Sequence, residues 1–297
     1  MNEYRLDKQR VRRSFDRAAA RYDEAAVLQR EVADRMLERM ELIRLRPERI
    51  LDIGAGTGYC TQALRERYRK AEIVSADLSE QMVRRAASRG PLWQRWRRRQ
   101  RFLVADMERL PLADASLDLV FSNLTLQWCS EPAPVFAELR RVLRPGGLLM
   151  FSTFGPDTLM ELRQSWQAAD SHTHVSAFPE MHHLGDLLLA EGLADPVVDT
   201  ERFTLTYREV KGLMRDLKTL GAHNATAGRP RGLTGRGRFS RMVDAYEQHR
   251  QGGVLPATYE VIYGHAWRPG EEPEPEGGPV HTVSLERLRS TLRRGMQ

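Results

Sequence analysis

Two cysteines in 297 residues leave no framework for disulfide bonding. Cys60 and Cys129 each sit inside an apolar stretch, so both are expected as small buried thiols in a cytoplasmic protein. Long hydrophobic runs are missing too. Nothing approaches the ~18 uninterrupted apolar residues of a membrane-spanning helix, and no membrane partner is expected. The first residues, Met1-Asn2-Glu3-Tyr4-Arg5, open into a charged helix rather than a secretory leader. Metal-ligand spacing is also lacking. His172, His174, His182 and His183 cluster, but no H-E-x-x-H or C-x-x-C accompanies them, so no metal is expected.

What is present is enough apolar residue, 41%, for a sizeable core, and a net charge of +6. The positive charge is arginine-rich and densest from Trp93 to Arg101. Such a balance suits an anionic partner: nucleic acid, a membrane surface or an acidic protein. A charge run is more often a solvated face, and this one lacks the repeated aromatic platforms that single strands stack on. Nucleic-acid binding is therefore the weaker of the readings, and no nucleic-acid partner is expected.

Two helices are expected over 7–44. Strand and helix then alternate: strands at 49–53, 72–76, 101–104, 117–122 and 148–153, with helices at 58–68, 79–89 and 132–143 between them. Ser79 is placed to cap its helix. Helices near 157–169 and 182–191 follow, then extended runs at 197–207 and 258–267. This pattern predicts an α/β fold with a seven-stranded, mostly parallel sheet whose last strand is antiparallel. The division is an N-terminal helical cap (1–48), a core (49–207 and 257–268), a helical lid insert (208–256) and a flexible tail (269–297), whose Glu-Pro-Glu-Pro-Glu-Gly-Gly composition is that of a linker. There are no internal repeats.

The chemistry begins at Asp52-Ile53-Gly54-Ala55-Gly56-Thr57-Gly58. A strand runs into three alternate glycines and a helix, and the next strand ends in Asp77. Glycine permits positive φ and close approach of a ligand. A carboxylate at Asp77 is placed to accept both hydroxyls of a ribose. An acid directly before the turn repels a pyrophosphate but suits a cation. The arrangement D-x-G-x-G-x-G resembles the first motif of class I methyltransferases, whose Rossmann-like fold binds S-adenosylmethionine. On that reading Asp52, Gly54, Gly56, Gly58 and Asp77 hold the cofactor, with Leu78 beside Asp77. Asp106 is placed to accept from the adenine amino group with Met107 next to it, and Asn123 and Leu124 to lie near the methionine moiety. Gln127 and Trp128 come next and are close enough to line an acceptor pocket, with core packing as the plain alternative for Trp128.

Methyl transfer is direct displacement at a sulfonium, and mainly a matter of alignment. An amine, phenol or carbon acid needs a general base, whereas a carboxylic acid is already ionised at neutral pH. No His or Lys follows strands four and five as an evident base, which favours a carboxylate acceptor.

Longer stretches carry a narrower resemblance. Phe15-Asp16-Arg17-Ala18-Ala19-Ala20-Arg21-Tyr22, Leu28-Gln29-Arg30, Ser122 to Cys129, Leu217-Lys218-Thr219-Leu220-Gly221-Ala222, Gly228-Arg229 with Leu233-Thr234, and Thr258 to Gly264 resemble the malonyl-acyl-carrier-protein O-methyltransferases of biotin synthesis. The likeness runs from about Ser14 to Trp267. It implies methylation of the free carboxylate of a malonyl thioester, on acyl carrier protein or coenzyme A, with S-adenosylhomocysteine leaving. An acidic carrier protein agrees with the basic chain. Tyr22, assisted by Gln29, is then expected to fold over the cofactor or acceptor, Phe178 to wall the malonyl pocket, and Lys218, Arg229 or Arg163 to meet the carboxylate, the phosphopantetheine or the carrier. A ubiquinone- or sterol-type small-molecule methyltransferase is the alternative enzyme the same core supports.

Overall fold

The structure is a computed structural model that describes residues 6–89, 100–222, 224–226 and 235–270. Its centre is one sheet. The apolar runs form β1 (Arg49–Ile53), β2 (Glu72–Asp77), β3 (Gln100–Val104), β4 (Leu117–Ser122), β5 (Leu143–Phe154), β6 (Ala194–Tyr207) and β7 (Leu255–Trp267). They lie in the order β3-β2-β1-β4-β5-β7-β6. Neighbours from β3 to β5 pair parallel, and β7 runs antiparallel to both β5 and β6. The chain therefore reverses its direction of growth between β1 and β4, and in open α/β sheets the crevice beyond such a reversal takes the ligand. The expected seven strands and antiparallel last strand are present.

Strand alternation sends side chains to two cores. Ile50, Leu119, Phe121 and Met150 pack on one face with Leu28, Val32 and Met36 of α3 (Val27–Arg39) and Leu64 of α4 (Tyr59–Arg67). Leu51, Ile53, Val120 and Leu149 pack on the other, against Phe136 and Leu139 of a helix over Pro132–Val142 and Leu184 and Leu188 of a helix over Met181–Ala190. α5 (Glu80–Ser88) starts at Ser79, whose Oγ accepts from the Met82 N–H, as its residue type predicts.

Three expectations change. The N-terminal segment is not two helices but α1 (Lys8–Ala18), the single turn α2 (Tyr22–Ala25) and α3. The chain breaks after Ala19 because the Arg85 guanidinium takes the carbonyls of Ala19 and Ala20, which a continuing helix would have used. β5 begins at Leu143, not 148. Arg144-Pro145-Gly146-Gly147 ends the preceding helix but stays paired, through Gly146 N–H to Arg268 O (2.9 Å) and Arg268 N–H to Gly147 O (2.8 Å). β6 and β7 also start three residues earlier than periodicity suggested, at Ala194 and Leu255.

Numbering the helices onward, α6 is Pro132–Val142, α7 Met160–Gln167, α8 Met181–Ala190, α9 Val210–Thr219 and α10 Arg236–Glu247. α9 packs on α2, and α10 on α7. Gly228 to Leu233, with Arg229, lies outside the described residues, as do most of the arginine-rich run and the tail from residue 271. Among the described residues no helix is long and apolar enough to cross a membrane. Cys60 and Cys129 are both free and buried.

Candidate active site

The turn after β1 is built around the second acid. Gly54, Gly56 and Gly58 have φ of 73°, 54° and 87°. Gly54 and Ala55 donate their N–H groups to Ala76 O (2.8 and 3.0 Å), which stitches the turn to β2. Asp77 takes one N–H on each oxygen, from Gly56 (2.9 Å) and Ser79 (2.8 Å). Each oxygen keeps a lone pair, and Asp77 lines a cleft beyond the ends of β1, β2 and β4. Gly54, Gly56, Leu78, Asp106, Met107, Asn123 and Leu124 share that cleft. Gly58 does not; it precedes α4 as its N-cap.

Asp52 departs from expectation. It is 1% exposed and lines neither the cleft nor either adjoining cavity. Thr61 Oγ1 donates to it at 2.5 Å, and Ser75 Oγ lies 3.0 Å from that hydroxyl. It therefore stands behind the turn, on the α4 side, rather than facing a bound cation. Burial pushes its pKa up to about 7, against the Thr61 hydrogen bond and with help from the Asp77 charge. Burial likewise pushes Asp77 up to about 6, against its two backbone N–H bonds.

Both carboxyls have folded pKa values above their ordinary 3.8. Their contribution to stability is complete below about pH 4 and is lost as pH rises through 6 and 7. Asp52→Asn keeps an acceptor for Thr61 without the buried charge. It is expected to melt higher than the parent at pH 8, with the gap closing toward pH 4 in calorimetric scans.

The N-terminal helices close the cleft. Lys8, Val11 and Phe15 of α1 line it, and Phe15 meets Trp128 edge-on at 5.0 Å. Asp16 explains its own motif: its Oδ1 accepts from Ser79 Oγ (2.6 Å) and Gln81 N–H (3.2 Å), tying α1 to the start of α5. Lys8 was invisible in the sequence. Its Nζ reaches Asp106 Oδ1 at 2.8 Å and Glu108 Oε1 at 2.9 Å, so Asp106 carries an ammonium where an adenine amino group was expected. Tyr22 lines the cleft and burial raises its pKa, so its phenol stays neutral.

Beyond β4, Leu124 has φ 49° and donates its N–H to Ser152 O (3.1 Å). Asn123 Nδ2 donates to Gln29 O (2.9 Å), and Ser152 Oγ to Asn123 Oδ1 (2.8 Å). Gln127 is held at both ends, donating to Leu124 O (2.7 Å) and accepting from Thr153 Oγ1 (3.3 Å).

A second cavity adjoins the cleft. Gln29, Gln127, Trp128, Phe154, Leu220 and Ala222 border both. Its far walls are mostly apolar and aromatic: Leu28, Leu162, Leu217, Tyr259 and Phe178, which packs against Phe154 with centroids 5.7 Å apart. Its polar groups include His174, Asp216 and Asn224, and no Lys or Arg lines it among the described residues. Lys218 is exposed. Helical phase turns Leu213, Leu217 and Leu220 inward, and Lys211, Arg215 and Lys218 outward. Arg163 lines a neighbouring pocket instead, donating to Pro156 O (2.8 Å) and Thr158 O (3.1 Å).

A third, smaller cavity joins the cleft at Tyr22, Gln29, Gly54, Gly56 and Asn123 and carries the polar groups of Asp23, Arg30, Thr57 and Tyr59 on its wall. Arg30, quoted above for the family likeness but given no role, donates to Asp23 O (2.8 Å). The histidines scatter: His174 stacks on Trp166 at 3.8 Å with Nε2 2.8 Å from Asp170, and His182 and His183 are exposed on α8. Among the described residues no group of three or more His, Cys, Asp or Glu is placed to hold a metal ion.

The methyltransferase domain family matches residues 51–151. The malonyl-acyl-carrier-protein O-methyltransferase of Laribacter hongkongensis is 56% identical over 271 residues, covering 90% of this chain and 91% of that one. The protein of the same name from Gallionella capsiferriformans is 49% identical over 288 residues, covering 96% and 99%. Among solved structures, a methyltransferase-like protein of Bacillus halodurans superposes with a TM-score of 0.55 at 17% identity, over 79% of this chain and 98% of that one, a likeness of fold.

Proposed function

Since the chain belongs to the malonyl-acyl-carrier-protein O-methyltransferase family, we propose that its cleft seats the methyl donor and the adjoining cavity the malonyl end of the acceptor. The enzyme is an S-adenosylmethionine-dependent O-methyltransferase, and it transfers a methyl group to the free carboxylate of a malonyl thioester. The observation that carries the assignment of cavities is their shared wall: a donor site with a free carboxylate face at Asp77 opens directly onto an apolar chamber.

The residues present fit S-adenosylmethionine. Asp77 offers two lone pairs to vicinal hydroxyls, and a Cβ on Gly56 would meet nothing within 4 Å, so the backbone there leaves room for a ligand. When bound, that group supplies an electrophilic methyl on a sulfonium. Leu78, Met82 and Met107 offer apolar flanks to the adenine, and Asp106 an acceptor once Lys8 yields. Arg30, Thr57 and Tyr22 in the small third cavity suit the amino-acid end.

The described chamber wall offers no guanidinium or ammonium to the malonyl carboxylate, which departs from the expected cationic anchor. The reaction itself supplies the reason. A carboxylate and a sulfonium annihilate their charges, so the transition state is less charged than the reactants. A low-polarity wall leaves the carboxylate weakly solvated and reactive, whereas a fixed cation would stabilise the reactant more than the transition state. No general base is required, since the acid is ionised at neutral pH.

Lys218 belongs to the outward stripe with Lys211 and Arg215 and is assigned to the acidic carrier protein, the partner that the family name supplies. Lys218→Glu is expected to raise KM for malonyl-carrier protein about three- to tenfold, as rim charges do, while KM for malonyl-coenzyme A stays nearly constant. Equal rises for both acceptors would remove the docking role.

The test of the substrate is a panel of thioesters on carrier protein offered with labelled donor. Malonyl-carrier is expected to gain one methyl, and acetyl-carrier, which lacks the carboxylate, none. Labelling of acetyl-carrier at a similar rate would defeat the reading, and turnover of quinone-like phenols in its place would favour the ubiquinone-type alternative.

A further inference from the structure

One polar atom in the site has nothing to do. Gln29 sits on α3, where its backbone carbonyl accepts from Asn123 Nδ2 at 2.9 Å. Its side-chain oxygen, Oε1, is buried and has no hydrogen-bond partner among the described residues. A buried acceptor without a donor destabilises the fold, and unpaired groups of this kind call for a specific account. The neighbouring amides are satisfied: Asn123 at both ends by Gln29 O and Ser152 Oγ, and Gln127 at both ends by Leu124 O and Thr153 Oγ1.

The position of Gln29 is as particular as its orphaned oxygen. It borders the donor cleft, the acceptor chamber and the small third cavity, and no other described residue borders all three. A methyl group passing from donor to acceptor has to cross where cleft and chamber meet. Of the residues bordering both, only Gln29 and Gln127 carry a side-chain carbonyl, and that of Gln127 is already engaged. We propose that on donor binding the Gln29 amide turns, bringing its now-buried Oε1 to face the sulfonium and its transferable methyl and orienting the methyl toward the chamber. The inference rests on the assignment of the cleft to S-adenosylmethionine. The methyl of a sulfonium bears much of the positive charge, so its C–H bonds are polarised donors and the amide dipole is attracted to the whole cation. The interaction exists only while the methyl is in place. Once transfer has occurred, the neutral thioether of S-adenosylhomocysteine offers Oε1 nothing, so Gln29 favours reactant over product and assists release.

This separates Gln29 from a packing residue and from a residue that merely grips the amino-acid end. Both of those act on donor and product alike. The experiment measures Kd of S-adenosylmethionine and S-adenosylhomocysteine by calorimetry, with Tm, for the parent, Gln29→Leu and Gln29→Glu. Gln29→Leu is expected to weaken S-adenosylmethionine about three- to tenfold, the range of a weak to charge-assisted hydrogen bond. S-adenosylhomocysteine affinity is expected to stay nearly constant and Tm to hold or rise, because the unpaired oxygen has gone. Gln29→Glu, which places a formal charge before the sulfonium, is expected to move the ratio of the two affinities the other way. A ratio that does not move in either variant, or a fall in Tm with equal losses for both ligands, overturns the proposal. If the parent binds neither ligand, the reading of the cleft falls as well; if it binds both, failure of the ratio test touches Gln29 alone.

Discussion

Asp77→Ala is expected to cost the protein its methyl donor. Two hydroxyls donating to an ionised carboxylate contribute about 1.5–3 kcal/mol each, so the loss is on the order of 3–6 kcal/mol, or about 10²- to 10⁴-fold in Kd. The same carboxylate holds the Gly56 and Ser79 N–H groups, so the glycine turn loosens when it goes. Asp77→Asn separates the two effects. Its single carbonyl keeps one acceptor and the shape of the side chain but no charge, and affinity is expected between those of parent and Ala. Calorimetry with S-adenosylhomocysteine, alongside circular dichroism to confirm the fold, reads both. Unchanged affinity in Asp77→Ala would remove the ribose assignment. Protonation acts in the same direction. With Asp77 near 6 in the free protein, donor affinity is expected to weaken as pH falls below that value and to level off above 7.

The second large effect divides two glycines that look alike in sequence. A Cβ on Gly54 would lie 1.9 Å from Thr125 Oγ1 and 2.4 Å from its Cγ2, and φ there is +73°. Left-handed backbone costs an alanine about 1–2 kcal/mol, and the overlap forces the turn off Thr125, for a total of several kcal/mol by analogy with overpacked cores. Gly54→Ala is expected to lower Tm by roughly 10 °C or more. Gly56 has φ +54° but nothing within 4 Å of its would-be Cβ. Gly56→Ala is therefore expected to keep the fold, with Tm falling only a few degrees for the left-handed cost, while donor affinity drops because the methyl group enters the cleft. Thermal scans with and without S-adenosylhomocysteine distinguish them: the ligand shift survives in neither, but only Gly54→Ala melts early without ligand. Equal Tm losses would show that Gly56 is structural too.

The glycine turn, Asp77 and the Ser79 cap were legible because each is a local event: a strand, a turn and a helix start within a few residues. The sheet followed from periodicity, though the start of β5 did not, since Arg144-Pro145-Gly146-Gly147 has the composition of a loop and is held in the sheet by Arg268, far along the chain. Asp52 was misdirected despite an available signal. It shares strand parity with Ile50, which packs toward α3 and α4, whereas Leu51 and Ile53 pack on the opposite face. Of the three contacts expected for Lys218, its outward position leaves the carrier protein, since Leu213 and Leu217 already claim the inward face of α9. Lys8 left no signal at all. A lysine opening an amphipathic helix is ordinary, and its partner Asp106 is 98 residues away. Phe178 and Tyr22 were visible through family likeness alone; Phe178 lines the second cavity and Tyr22 the cleft.

Base-free attack of a carboxylate oxygen on the donor methyl, in a chamber to which the described residues bring no Lys or Arg, is the central proposal. It is tested most directly by following a ¹³C-labelled methyl from S-adenosylmethionine into malonyl-carrier protein by NMR. An oxygen-bound methyl resonance that disappears on mild ester hydrolysis is the predicted result. A label that appears on carbon or sulfur, or that survives such hydrolysis, would contradict it.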